Sequence, residues 1–444
     1  MRIQPARGLR GRLRVPGDKS ISHRAAIIAA LAETGARSRL TNYSTSADCA
    51  STLACLSALG VRIERREGDT VEIEGAGLSW THAPRAPLDC GNSCTSMRLL
   101  AGLLAGQPFA ATLTGDASLC SRPMKRIIEP LELMGARISS EAGRAPLRIE
   151  GRAPLTPISY ALPVASAQVK SCVLLAGLNA GGRTEVIEAL GATRDHTERL
   201  LLLFGADVKW GSRVIEGRGV ETILIQTPVN LHAQDCSIAG DISSAAFFMV
   251  AAALLGGSDV TLAQVGLNPT RTGILDTLQR LGADVVVADM RVESGESVGE
   301  LRVRGHGEAL RPQATGANVI RGELIANLID ELPILCVLGT QVEGGLEIRD
   351  AGELRVKETD RIGAMVVNLR ALGAEVEEYA DGLRVGGRTR LRGAQLESFG
   401  DHRIAMACAV AALISEGESE LAGAEAVGVS FPEFFTMLES VIER

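Results

Sequence analysis

Leu369-Arg370-Ala371-Leu372-Gly373-Ala374-Glu375-Val376 is one of five copies of a single pattern in this 444-residue chain. A leucine is followed by two residues, an apolar residue and glycine, then usually alanine and a β-branched residue. The other copies are LSALGVRI ending at Ile63, LELMGARI ending at Ile138, LLLFGADV ending at Val208 and LQRLGADV ending at Val285. Their glycines, Gly60, Gly135, Gly205, Gly282 and Gly373, lie 70 to 91 residues apart. A helix that ends on a glycine in the left-handed region and releases a strand has this signature. One such copy is common in any α/β protein, but five at near-regular spacing indicate an internal repeat.

A second pattern interleaves with the first. Polar starts lead into almost wholly apolar helices at Ser20 (HRAAIIAALA), Asn92 (TSMRLLAGLLAG) and Ser166 (QVKSCVLLAGL). The same happens at Asp241 (SSAAFFMVAAALL), Asp330 (ELPILCVLG) and Asp401 (HRIAMACAVAALI). Each start offers an N-cap side chain, and a helix apolar all round is expected to be buried. Six units in two sets of three predict an α/β protein of two similar domains. One is residues 17–239; the other is discontinuous, residues 1–16 plus 240–444. The chain is expected to cross between them near Pro16–Lys19 and again near Gly240, as a double-crossing hinge. The sixth unit ends in FPEFFTMLESVIER with no strand of the repeated kind, so the N-terminal strand, Arg2 to Val15, is expected to complete it.

Composition narrows the function. Aromatic residues are 3% and the formal net charge is -7, which argues against a base-stacking or generally basic nucleic-acid binder. The longest apolar run, Ala245 to Leu255, falls far short of the roughly 20 residues a membrane span needs. MRIQPARGLRGRLRV lacks the apolar core of a secretory signal, and nine cysteines without a C-x-x-C pair read as reduced thiols. A cytoplasmic protein is expected. Cys90 and Cys94 are four apart without further ligands, which argues against zinc.

Basic residues cluster at the apolar helix starts: Lys19, Arg24, Arg98, Lys170 and Arg403. A single one would be read as a solvated face. As a set inside apolar helices they require partners or an anion, and helix N-termini attract anions. Pro16-Gly17-Asp18-Lys19-Ser20 is not a nucleotide P-loop, because Asp18 stands where glycine must precede the lysine. The densest cluster is Arg355-Val356-Lys357-Glu358-Thr359-Asp360-Arg361. On a helix, Lys357 and Arg361 would share a face, and Glu358–Arg361 would form an i,i+3 salt bridge. Arg355 reads as a surface charge. Two small, strongly anionic substrates bound in a cleft are the expectation.

In order along the chain, PGDKSISHR, DCGNSCTSMR, GDASLCSRPM, ASAQVK, ELRVKETDR and GDHRIAMA resemble the 5-enolpyruvylshikimate-3-phosphate synthase family. SAQVKS and TRDHTE are similar to its glyphosate-tolerant class II. The resemblance implies the enolpyruvyl transferase fold, an inside-out α/β barrel arrangement with three βαβαββ repeats per domain. It implies addition of shikimate 3-phosphate to C2 of phosphoenolpyruvate, then loss of phosphate, with no metal and no organic cofactor. A monomer is expected, with no nucleic-acid or membrane partner. The family roles place Lys19, Ser20, Arg24, Ser166, Ala167, Gln168, Arg194, Asp330 and Lys357 on shikimate 3-phosphate. They place Lys19, Cys94, Arg122, Gln168, Arg361 and Arg403 on phosphoenolpyruvate. Asp330, Glu358, Lys357 and Lys19 carry the catalysis, Asp330 taking the proton of the attacking hydroxyl; how Glu358 and Lys357 divide the remaining proton transfers stays open.

The chain departs from the sensitive members of that family at three places. Cys94 replaces glycine, Leu99 replaces proline, and Val429-Ser430-Phe431-Pro432 lacks a lysine found there. The Cys94 side chain is expected to clash with glyphosate while the more compact phosphoenolpyruvate still fits. Cys120, beside Arg122-Pro123, is read as structural, and His23 and His402 as packing or orienting residues. The alternatives are a UDP-N-acetylglucosamine enolpyruvyl transferase and a non-catalytic two-domain anion-binding protein. ELRVKETDR argues against the first, and intact Asp330, Lys357 and Glu358 against the second.

Overall fold

The computed structural model describes residues 1–80, 82–215 and 217–444, with the side chain of Arg218 outside that description. The chain divides into two compact units. One comprises Gly17–Ala239 with Val292–Glu296; the other comprises Met1–Pro16, Gly240–Arg291 and Ser297–Arg444. Val292–Glu296, around the turn between strands Asp284–Glu293 and Glu296–Arg304, thus groups with the first unit rather than with its chain neighbours.

The five glycines of the repeat each follow a helix that ends two residues earlier. Their φ values are 93° (Gly60), 99° (Gly135), 98° (Gly205), 89° (Gly282) and 93° (Gly373). These dihedrals are costly for a side chain with a Cβ, which is why the pattern requires glycine there. The helices before them bury one face only: Lys125–Leu133 buries Ile127, Ile128, Pro130 and Leu131. The interleaved helices are different. Ile242–Leu254 is buried from Ile242 through Ala253, and His402–Leu413 along its whole length.

In the unit built on Gly17–Ala239, three four-stranded sheets share one topology. The middle sheet runs Leu88–Asp89, Ala110–Thr114, Arg144–Glu150, Arg137–Glu141 in spatial order. Its first pair is parallel and the other two are antiparallel. The third sheet repeats this with Ser159–Ala161, Arg183–Glu188, Arg218–Gln226 and Val208–Ile215. The first sheet takes its leading strand, Cys236–Ser237, from the far end of the unit, parallel to Arg37–Thr41. Arg144–Glu150 buries Ala145, Leu147 and Ile149 and exposes the alternate residues, as a sheet with one covered face must.

The other unit repeats the order with Gly8–Leu13, Asp259–Gly266, Glu296–Arg304 and Asp284–Glu293, then with Val319–Ile320, Leu346–Ile348, Gly382–Val385 and Val376–Tyr379. The N-terminal segment is two strands rather than one. Arg2–Ile3 lies antiparallel to Ser419–Ala422 and completes the sixth sheet, while Gly8–Leu13 leads the fourth. Pro5 stands between them and has no N–H to continue a ladder. The C-terminus also ends in a strand that the sequence pattern missed: Ile442–Glu443 pairs with Gly8 and Leu9. Phe247, Phe248, Phe431 and Phe434 pack edge-on or tilted at centroid distances of 5.7–6.1 Å. The stretch around Phe431 that lacks the lysine is therefore a core anchor. Among the described residues no helix is long and apolar enough to cross a membrane.

Two close approaches of backbone in the Gly17–Ala239 unit require glycine. A Cβ on Gly17 would lie 1.8 Å from the Asn42 carbonyl oxygen, so only glycine lets the chain enter the helix Lys19–Ala30 at this point. A Cβ on Gly102 would lie 2.2 Å from the Cys172 carbonyl oxygen, so helices Cys94–Ala105 and Ala167–Gly177 meet backbone to backbone. Gly102→Ala is expected to lower the unfolding free energy by about 2–3 kcal/mol, because backbone cannot yield as a side chain can. A urea titration of the purified variant against the parent measures this.

Candidate active site

The capping of the helix starts differs from the sequence reading at three of the six. Ser166, Asp241 and Asp401 are the N-caps expected, each accepting a backbone N–H with its side chain. At the first start the cap is Asp18, not Ser20, and at the second it is Ser93, not Asn92. In both cases the side chain three residues before the accepted N–H wins, because that spacing gives the bond its geometry. At the fifth, helix Leu332–Gly339 has Glu331 at its N-cap with no side-chain cap bond, so Asp330 lies just outside the helix. That leaves the Asp330 carboxylate for other partners.

In the unit of Gly17–Ala239, the cations are oriented one by one. Lys19 opens its helix, and its Nζ lies 2.8 Å from Asp48 Oδ2. Arg24 is buried and donates from Nε to Thr197 Oγ1 at 2.7 Å, from Nη2 to Ser171 Oγ at 2.9 Å and from Nη1 to the Ser20 carbonyl at 2.9 Å. Arg194 Nη1 approaches Ser20 Oγ at 3.5 Å. Ser20, Arg24 and Arg194 are thus brought together. Half-buried Ser166, Ala167 and Gln168 form the first turn of the next helix. The Gln168 side chain receives a bond from Arg98 and donates to Thr95 Oγ1 at 2.9 Å, tying two helix starts to each other. Arg122 is buried; it donates to Asn92 Oδ1 at 2.7 Å and Ser118 Oγ at 3.0 Å, and its Nη1 lies 3.4 Å from Cys94 Sγ. His23 is buried against Thr52, and burial, with the charges of Lys19 and Arg24, holds its pKa well below the usual histidine value.

In the second unit the cations around Asp330 are crowded by carboxylates. Lys357 and Arg361 are not on one helix, as the spacing had suggested. Gly352–Val356 is a 3₁₀ turn closed by Lys357, and the α-helix begins only at Arg361, capped by Asp360. Arg355 is a clamp rather than a loose surface charge. It bonds Asp360 at 2.6 Å, Glu378 at 2.9 Å and the carbonyls of Tyr379 and Ala380 at 2.6 and 2.8 Å. It therefore fixes the capping residue of the Arg361 helix to the neighbouring hairpin.

Arg361 is 2% exposed and is held by three carboxylates. Its Nε lies 2.7 Å from Asp401 Oδ2, its Nη2 2.7 Å from Glu358 Oε2, and its Nη1 3.7 Å from Asp330 Oδ1. Burial works against its charge, but Asp401, Glu358 and Asp330 raise its pKa well above the usual value. Nη1 is buried without a hydrogen-bond partner among the described residues, which suits it to an added anion. Arg403 donates to the Asp330 carbonyl at 3.0 Å and lies 3.4 Å from its Oδ2. Lys357 Nζ is 3.9 Å from Glu353. Burial pushes the Lys357 pKa down, against the pull of Glu353 and Asp330, and Arg361 lowers it further. A lysine so depressed gives up a proton more readily.

Two members of the basic set find partners within their own unit. Lys170 is fully buried, with Nζ 2.7 Å from Glu198 and 3.1 Å from Glu188, so internal carboxylates answer its charge. Arg98 holds Gln168 and the Pro123 carbonyl. Sequence reasoning missed the residues behind the cations, Asp48, Ser118, Ser171 and Thr197, and read Asn92 only as a helix start. Asp401 had a signal, as the polar residue opening an apolar helix, but its bond to Arg361 spans 40 residues and has no local signature.

A backbone match to the enolpyruvyl transferase NikO from Streptomyces tendae has a TM-score of 0.74 at 19% identity over 99% of this chain and 96% of that one. That match is one of fold: this chain shares the fold of that enzyme. The EPSP synthase (3-phosphoshikimate 1-carboxyvinyltransferase) family signature matches residues 3–438. A 3-phosphoshikimate 1-carboxyvinyltransferase of Koribacter versatilis is 49% identical over 100% of this chain and 99% of its own length. That of Salinibacter ruber is 50% identical over 99% and 98%. An EPSP synthase structure from Acinetobacter baumannii has a TM-score of 0.85 at 40% identity, covering 99% of this chain and 98% of its own. The chain belongs to the EPSP synthase family.

Asp401→Ala should destabilise the protein by roughly 3–5 kcal/mol, since it strips a buried guanidinium of one of its two nearest carboxylates and removes a helix cap together. The shift in chemical denaturation midpoint at constant slope is the measurement.

Proposed function

We propose that this chain transfers the enolpyruvyl group of phosphoenolpyruvate to the 5-hydroxyl of shikimate 3-phosphate, with release of phosphate. The observation that carries the reading is the ring around Asp330: a half-buried carboxylate set against Arg361 and Arg403, with Glu358 on the same Arg361 guanidinium. Arg361 and Arg403, with Arg122, bind the phosphate and carboxylate of phosphoenolpyruvate, for which planar guanidinium forks are suited. Lys19, Gln168 and Cys94 complete that contact set. Ser20 and Arg24 take the shikimate carboxylate and hydroxyls, and Lys19 and Lys357 touch this substrate too. The phosphate of shikimate 3-phosphate sits on Ser166, Ala167 and Gln168, where a helix start supplies N–H groups, and pairs with Arg194.

The chemistry follows from these placements. Asp330 accepts the proton of the 5-hydroxyl as its oxygen bonds to C2 of phosphoenolpyruvate. The methylene carbon gains a proton, giving a tetrahedral adduct. The methyl group then loses a proton as the C–O bond to phosphate breaks, and the enol ether remains. Glu358, beside Arg361, and Lys357, whose pKa burial has lowered, handle the proton at carbon and the proton for departing phosphate. The proposal extends to a monomeric, cytoplasmic enzyme working without metal or organic cofactor.

Phosphate release with shikimate 3-phosphate and phosphoenolpyruvate tests the reading. Asp330→Asn and Glu358→Gln should each lower kcat by roughly 100-fold or more, the usual scale of a lost general acid or base. Turnover unchanged in both variants, or turnover with UDP-N-acetylglucosamine instead, would sink it.

Cys94 also supports tolerance to glyphosate. Its side chain fills space 3.4 Å from an Arg122 nitrogen, where glycine would leave a gap for a longer anion. Cys94→Gly should lower the glyphosate inhibition constant at least about tenfold, equivalent to ~1.4 kcal/mol of regained binding. The KM for phosphoenolpyruvate should stay within about threefold, since removing a steric block chiefly affects the ligand it excludes. Equal inhibition of parent and variant would refute the steric account.

A further inference from the structure

We infer that Lys170 is a positioning residue: it holds the loop of residues 189–195 so that Arg194 meets the substrate phosphate. The inference rests on the role proposed above for Arg194. It starts from a buried charge cluster that the chemistry does not use. Lys170 lies in the second turn of helix Ala167–Gly177, whose first turn carries Ala167 and Gln168. Its ammonium reaches Glu188 Oε2 at 3.1 Å, Glu198 Oε1 at 2.7 Å and the Thr193 carbonyl at 3.2 Å.

Those three partners bracket one loop. Glu188 is the last residue of strand Arg183–Glu188, and Glu198 lies in the first turn of helix His196–Leu203. The loop between them has a single buried residue, Thr193. Glu188 Oε1 accepts the Thr193 backbone N–H at 2.8 Å and its hydroxyl as well. Lys170 therefore ties both ends of the loop, and with Glu188 it binds both backbone polar groups of Thr193. Arg194 is the next residue. Beside this cluster, Ser171 bonds Thr197 at 2.6 Å, and both bond Arg24. A single helix thus sets the anion-facing N–H groups of its first turn, the Arg24 fork and the Arg194 loop.

A purely structural cross-link does not need charge here. Apolar residues of similar volume would hold a buried junction at least as well as an ion triad. What they could not do is bind a loop's backbone N–H and C=O in one geometry. The cost of burying three ionisable groups is matched by fixing where one guanidinium begins. Burial raises the Glu198 pKa and opposes the Lys170 charge, while the two glutamates raise Lys170 on balance.

The test uses Glu188→Gln, which keeps shape and leaves Lys170 paired with Glu198. Affinities for shikimate 3-phosphate and for shikimate, which lacks the phosphate, are measured by calorimetry. We expect Kd for shikimate 3-phosphate to rise roughly tenfold, the scale of one charge-assisted bond, with shikimate nearly unchanged. In an Arg194→Ala background, Glu188→Gln should add little further loss. Should Glu188→Gln fail to fold, Thr193→Val removes the hydroxyl bond alone and should raise the same Kd by about threefold, a weaker single-bond effect. Equal losses for both ligands, or additive losses with Arg194→Ala, would overturn the inference and leave a merely structural cluster. If Arg194→Ala itself left the shikimate 3-phosphate affinity intact, the phosphate role of Arg194 would fail instead.

Discussion

The bond between Asp401 and Arg361 governs the unit that contains it. Asp401 is fully buried and does two things at once. It accepts the N–H groups of Arg403 and Ile404 at 2.8 and 3.4 Å, capping helix His402–Leu413, and it holds Arg361 at 2.7 Å. Arg361 in turn meets Glu358 and Asp330, and the Asp330 carbonyl and carboxylate meet Arg403. The path closes on Asp401 through the Arg403 backbone. Each charge in this ring is oriented by the next, so few rotamers satisfy all of them. Preorganised charge of this kind costs no reorganisation when a substrate arrives.

In the other unit two arginines are oriented by different chemistry, while Lys19 and Lys170 face carboxylates. Hydroxyl and amide side chains, Thr197, Ser171, Asn92 and Ser118, receive bonds from Arg24 and Arg122. Such partners aim a guanidinium without cancelling its charge, which favours holding anions. Carboxylates near cations instead suit a site that must also accept and return protons. The difference matches the division proposed here, with shikimate 3-phosphate held mainly by the first unit and Asp330, Glu358 and Lys357 supplied by the second.

Legibility in the sequence followed the range of the interaction. The five helix-ending glycines were readable because a left-handed dihedral after a helix constrains one residue and its neighbours. The buried helices were readable because they are apolar on every side. Errors came where several nearby polar residues competed for one job. Asp18 rather than Ser20, and Ser93 rather than Asn92, became caps by the spacing of a single hydrogen bond. Lys357 and Arg361 were four apart as on a helix, but a 3₁₀ turn and a capping Asp360 interrupt them.

The sequence by itself determined the repeat, the α/β class, the anionic character of the ligands and the family. All of these rest on short motifs, each of a few consecutive residues, that recur or follow one another in order along the chain. Tertiary structure alone decided which cations face carboxylates and which face neutral groups. It turned Lys170 from a candidate ligand residue into an internal strut and Arg355 from a surface charge into a clamp. It also split the N-terminal segment between two sheets. The reason is physical: a buried charge is defined by what folding places within about 4 Å of it, and for Arg361 two of the three carboxylates, Asp330 and Asp401, lie tens of residues away in the chain.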